Sequence, residues 1–103
     1  MVVLSYPTIR NYTEKRNQAV KDAFNNWYKV TCEANWASLN EVKKIFPATD
    51  YVGNDRYIFN IMGNSYRLVA IIHFNVRTVY IAWLGTHKQY DKIDASSIQF
   101  QKK

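Results

Sequence analysis

Residues 66–74 read Tyr-Arg-Leu-Val-Ala-Ile-Ile-His-Phe, and this run leaves the chain few ways to fold. Tyr66, Leu68, Ala70, Ile72 and Phe74 fall on one parity, and Val69 and Ile71 fall on the other. An extended strand sends alternate side chains to opposite faces, so both faces of this one need cover. A central strand is expected. Arg67 interrupts the second parity, and solvent, a carboxylate or a ligand must receive its guanidinium. Residues 50–52, 56–61 and 79–84 also read as extended segments. Gly53-Asn54, Gly63-Asn64 and residues 75–78 punctuate them, as in a meander of antiparallel neighbours.

The first half of the chain has a different period. Residues 2–5 form a short strand ended by Pro7, and Thr8 can cap a short helix with Ile9 and Tyr12 on one face. Asn17 starts the main helix. Val20, Phe24, Trp27, Thr31 and Ala34 recur at 4-3-4-3 spacing, with Asp22, Asn26, Lys29 and Glu33 largely opposite. Ser38-Leu39-Asn40-Glu41 is a capping box that opens a third helix, with Val42, Ile45 and Phe46 turned inward and Pro47 as the stop. Helices first and strands second define an α+β fold: two to three N-terminal helices packed on a small antiparallel sheet. A chain of 103 residues holds one domain, 1–103, with a looser tail from about residue 95.

Composition narrows the function. Fourteen Lys and Arg against eight Asp and Glu give a net charge of +6, spread evenly along the chain. That balance favours a polyanionic partner, nucleic acid before a membrane surface. One cysteine excludes an internal disulfide framework and a cysteine-based zinc cluster. Two histidines and scattered carboxylates show no metal-ligand spacing, and no cofactor is expected. The apolar runs are too short to span a membrane, and the first residues lack the pattern of a signal peptide. A cytoplasmic setting is expected.

Two segments can carry chemistry. One is residues 60–67, Asn-Ile-Met-Gly-Asn-Ser-Tyr-Arg; the other is residues 85–92, Gly-Thr-His-Lys-Gln-Tyr-Asp-Lys. If strand 79–84 runs antiparallel to strand 66–74, Arg67 and His87 meet at one end of the sheet. That pair suits phosphoryl transfer without a metal. An arginine fork holds a phosphate at two oxygens. An imidazole can exchange a proton near neutrality. Lys88 or Lys92 can offset developing charge, and a tyrosine can stack on a base. An RNA substrate brings its own nucleophile, the 2′-hydroxyl. Plainer roles stand beside each of these. His87 can cap a strand end, His73 reads as structural, and Arg67 can pair with Asp55 or Asp91. Asn60 and Asn64 can serve the hairpin, Tyr66 and Tyr90 can be core or rim aromatics, and Arg56 can lie on a solvated face.

The same two segments, with Trp36, Val42, Phe46-Pro47 and Asp50, resemble the HigB family of bacterial toxins within the RelE-like group. The resemblance implies a small α+β fold and metal-independent cleavage of mRNA, often in the ribosomal decoding site. It also implies a cognate antitoxin with a helix-turn-helix domain, which contacts operator DNA on behalf of the pair. Carried onto this chain, the resemblance makes Arg67 a phosphate clamp and His87 the acid or base. It gives Tyr90 and Lys92 base stacking and charge stabilisation. Arg56, Asn60, Asn64, Tyr66 and Lys88 are the expected RNA contacts. One departure is visible. Many relatives carry a basic residue in the last strand, where this chain has Ile81-Ala82-Trp83-Leu84. If that charge grips the RNA or the rRNA in the relatives, this chain must draw it from Lys88, Arg56 or Arg77, or cleave less efficiently. The competing readings are a basic module that binds RNA or the ribosome without cutting, and a purely protein-binding role.

Overall fold

Tyr66–His73 forms β4, and it lies at the middle of the sheet, as its two apolar parities require. The computed structural model describes residues 1–100. Its strands are β1 (Val2–Leu4), β2 (Asp50–Gly53), β3 (Arg56–Ile61), β4 and β5 (Thr78–Thr86), in the spatial order β1-β5-β4-β3-β2. Its helices are α1 (Tyr6–Thr13), α2 (Gln18–Glu33), α3 (Leu39–Ile45) and the single turn α4 (His87–Tyr90). β2 to β5 form the expected antiparallel meander. β1 departs from it and pairs parallel to β5 over three residues, Val2 to Leu4 against Thr78 to Tyr80. A parallel neighbour needs a long crossover, and everything from α1 to β4 provides it.

Each face of β4 has its own cover. Leu68, Ala70 and Ile72 join Phe59, Ile9, Val20, Phe24, Trp27 and Val42 under the helices. Trp27 meets Phe59 edge-on at 5.3 Å between ring centres, and Phe46 meets Phe59 at 5.5 Å. On the other face Val69 and Ile58 pack on Ala95, with Trp83, Tyr90 and Ile93 around them. The far cover is therefore the C-terminal segment itself. Asp94 caps its 3-10 turn, Ala95–Ser97, by accepting from the Ser96 amide at 3.2 Å. Arg56 ties it down, donating from Nε and Nη2 to the Ile98 carbonyl at 3.0 and 2.5 Å. Phe100 meets Tyr80 edge-on at 5.0 Å between ring centres. Of the tail expected from about residue 95, residues 101–103 lie outside the described residues.

Local expectations are adjusted in four places. Asn17 caps α2 as expected, its side chain accepting from the Val20 amide at 3.0 Å. Ser5, not Thr8, is the N-cap of α1, and Pro7 sits inside the first turn. That position suits proline, whose missing N–H would have no helical partner there. At α3 the box is displaced by one residue: Glu41 accepts from the Ala37 amide at 2.5 Å and Ser38 makes no side-chain cap bond. Ile45 is 54% exposed rather than inward. α3 ends there, and Phe46 takes the core position against Trp36 and Phe59. Finally, β5 runs two residues past the expected Leu84, so Gly85 and Thr86 belong to the strand.

Candidate active site

The ladder between β4 and β5 opposes Tyr66 to Thr86 and Arg67 to Gly85. The chain then turns sharply, because Thr86 caps α4 reciprocally. Its hydroxyl accepts from the Gln89 amide at 3.2 Å, and the Gln89 side chain accepts from the Thr86 amide at 2.9 Å. This turn swings His87 over the β3–β4 hairpin, where its amide donates to the Ser65 carbonyl at 3.0 Å. The hairpin itself bends through Met62 and Gly63, both at positive φ (56° and 65°). That conformation suits glycine.

Arg67 and His87 meet as the antiparallel register implied. Arg67 Nη2 lies 3.2 Å from His87 Nδ1 and donates to Asn64 Oδ1 at 2.7 Å. Arg67 Nη1 donates to the carbonyls of Asn64 and Tyr66 at 3.2 and 3.3 Å. His87 Nδ1 also lies 3.3 Å from the Asn64 carbonyl, and His87 Nε2 lies 3.7 Å from Asp91 Oδ2. A guanidinium only donates and a carbonyl only accepts. Nδ1 therefore has a partner in either protonation state: Arg67 when bare, the Asn64 carbonyl when protonated. Such a ring can gain and lose a proton without being stranded.

Tyr90 stands beside this pair, its ring centre 5.8 Å from Arg67 Cζ. Burial pushes its hydroxyl above the ordinary tyrosine value, against the pull of Arg67 and with the push of Asp50 and Asp91. It is a neutral hydrogen-bond donor across the physiological range. Trp83 backs it at 6.2 Å between ring centres. Gly85 makes this possible, since a Cβ there would fall 2.3 Å from Trp83 Cη2.

The other expected residues divide by position. Asn64 is in the cluster. Asn60 sits directly across from Arg67 in the β3–β4 register and borders a shallow cavity of about 250 Å³ with residues 45–49 and Gly63. Lys88 and Lys92 are exposed on and just after α4. Tyr66 points to the opposite face, edge-on to Phe24 at 5.7 Å and Tyr12 at 6.4 Å. Arg56 lies at the far end of β3, opposite Ile71, and its donors are taken by Ile98 and by the Asn54 carbonyl at 2.7 Å. His73 pairs with Asp55 at 3.8 Å, away from the cluster. Sequence reasoning gave Trp83 no place near the site and offered Asp91 as a partner of Arg67, whereas Asp91 faces His87. The signals were there: Trp83 and Gly85 share a strand parity, and His87 and Asp91 have helical i, i+4 spacing.

Comparison with known proteins gives the chain a family. The family described as HigB toxin, the RelE-like toxic component of a toxin–antitoxin system, matches residues 20–93. Among individual relatives, the mRNA interferase toxin HigB of Escherichia coli (strain K12) is 40% identical over 53 residues, 48% of this chain and 50% of that protein. The mRNA interferase HigB of Shigella flexneri gives the same figures. The mRNA interferase HigB of Escherichia coli O6:H1 is 27% identical over 73 residues, 69% of this chain and 71% of that protein. The chain thus spans about half the length of the first two relatives.

Proposed function

The chain belongs to the HigB family of RelE-like toxins, and from that premise we propose that it is an mRNA endonuclease that works without a metal. The observation that carries this reading is the 3.2 Å contact between Arg67 and His87 at an open end of the sheet. In the proposed reaction the RNA 2′-oxygen bonds to the adjacent phosphorus and the bond to the 5′-oxygen breaks. The products are a 2′,3′-cyclic phosphate and a 5′-hydroxyl. Arg67 holds the phosphate through its charge and its Nε–H, the donor outside its contacts to Asn64, Tyr66 and His87. His87 exchanges a proton with the reacting oxygens, and Asp91 orients its ring. Tyr90 stacks on or hydrogen-bonds a base, with Asn60 and Asn64 beside it. Lys88 and Lys92 offset the charge that builds on the phosphate.

The site is open: the His87 side chain is 41% exposed and Asp91 63%. An open site supplies little binding energy of its own, which fits an mRNA held in position by the ribosome. The partners proposed are therefore mRNA, the ribosome and a cognate helix-turn-helix antitoxin that reaches operator DNA, all in the cytoplasm. The even spread of the +6 charge also suits a module that binds RNA without cutting it.

One experiment separates the two. Messenger 5′ ends are mapped in cells after a brief pulse of expression, wild type beside His87→Ala, with circular dichroism as the fold control. Cuts at fixed positions within translated codons, lost in the variant, are expected. No new ends from the wild type would leave the binding module.

A further inference from the structure

The basic residues of this chain are not equally free to meet an anion. β5 has none over residues 81–84. Arg56 is committed to Ile98 and Asn54. Arg77 donates to Asn35 Oδ1 at 2.8 Å and to the Phe74 carbonyl, at the sheet end away from His87. Neither of these arginines supplies the charge missing from the last strand.

Arg16 is different. It lies between α1 and α2, with its guanidinium carbon 4.3 Å from the Tyr12 ring centre and 5.6 Å from that of Tyr66. Its Nε is buried with no hydrogen-bond partner, and so is the Tyr12 hydroxyl. Among the described residues no carboxylate lies within 4.0 Å of it; the ion pairs there are His73–Asp55 and His87–Asp91. Two aromatic faces thus hold a permanently charged, unpaired fork in a fixed orientation. An anion that reaches its outer nitrogens meets a fork already in place. Asn11, Tyr12, Glu14 and Lys15 share with it a surface depression of about 390 Å³, in which two cations face one carboxylate.

Position gives the fork a use. Tyr66 precedes Arg67 in β4 and opposes Thr86, so Arg16 stands at the same end of the sheet as His87, on the helix-covered face. We infer that Arg16, stacked on Tyr12 and Tyr66, is a second phosphate-binding site that grips the RNA backbone beside the scissile position. This rests on the nuclease reading for its ligand, but Arg16 lies outside the stretch that matches the family, residues 20–93.

The test uses the whole chain and a fluorescein-labelled 2′-O-methyl RNA of about 12 nucleotides, which lacks the attacking hydroxyl, between about 50 and 200 mM salt. Arg16→Gln is expected to weaken binding about tenfold, the scale of one charge-assisted hydrogen bond. It should also lower the slope of log affinity against log salt by about 0.7, one phosphate contact to a single strand. Arg16→Lys should keep the wild-type slope, and this contrast with Arg16→Gln is one that a merely structural arginine would not give, since it would leave the slope unchanged in both. Binding by Arg16→Gln equal to wild type overturns the inference and leaves the nuclease reading standing. No RNA binding by the wild type overturns it as well. Equal displacement of the RNA by poly-glutamate of matched charge also overturns it, in favour of an acidic protein ligand. Should Arg16→Gln misfold by circular dichroism, Tyr66→Leu decides instead: it keeps the charge but removes one stacking face, and unchanged RNA binding then counts against the inference. The mapping of 5′ ends judges the nuclease separately.

Discussion

Arg67 makes four contacts at once: Asn64 by side chain and backbone, the Tyr66 carbonyl and the His87 ring. A lysine keeps the charge and loses the fork. Arg67→Lys should lower the cleavage rate about tenfold or more, with its urea midpoint close to wild type. A single-turnover assay beside a denaturation curve checks both. Arg56 is the converse case. Its donors hold the Ile98 carbonyl, so Arg56→Ala should cost about 2 kcal/mol of stability and leave RNA affinity nearly unchanged. Denaturation and RNA titration of one preparation measure the two quantities. These two arginines also mark what could be read from the sequence. Arg67 was legible because it breaks an apolar parity in a central strand, and because the antiparallel turn brings His87 to it. Arg56 was not, because its partner is a backbone oxygen 42 residues away, and a backbone oxygen has no residue signature.

Among the elements, β5 and α4 build the site together. The Thr86–Gln89 capping box starts a helix of only four residues, and that single turn carries both His87 and Tyr90. Just before it, Gly85 lets the Trp83 indole lie across the strand and support Tyr90. Gly85→Ala should push Trp83 off, at a cost of about 1–3 kcal/mol from overpacking, and should reduce cleavage more than the stability loss alone explains. Comparing cleavage rates at a temperature where both proteins are folded tests this. α2 was legible from its Asn17 cap through its buried stripe of Val20, Phe24, Trp27 and Thr31, but Ala34, expected as the end of that stripe, is the extended residue that closes the helix. α3 was legible except at its cap, which Glu41 makes to Ala37 while Ser38 makes none, and at its last residue. Ile45 and Phe46 compete for one core position, and only the geometry of the helix end decides between them.

At the scale of the whole molecule, the aromatic residues set the response to alkali. Tyr12, Tyr57 and Tyr90 are each held above the ordinary value of 10.0, chiefly by burial. Below pH 10 they are neutral in both the folded and the unfolded chain. Above it the unfolded chain loses these protons first, so stability falls as pH rises from about 10 toward the folded-state values. The urea midpoint should therefore be lower at about pH 10.5 than at about pH 9, and absorbance near 295 nm should rise in step with unfolding. An unchanged midpoint would contradict the burial of these hydroxyls. The two-faced β4 announced a second cover, but the sequence did not say what would provide it. Residues 90–98 do, and they follow every strand and every long helix in the chain. A ribosome making this protein therefore finishes the sheet before it finishes the site. Until His87, Tyr90 and the Ala95 cover have emerged, the newborn chain cannot close the Arg67–His87 cluster, so a copy cut short before His87 carries a sheet without its cluster.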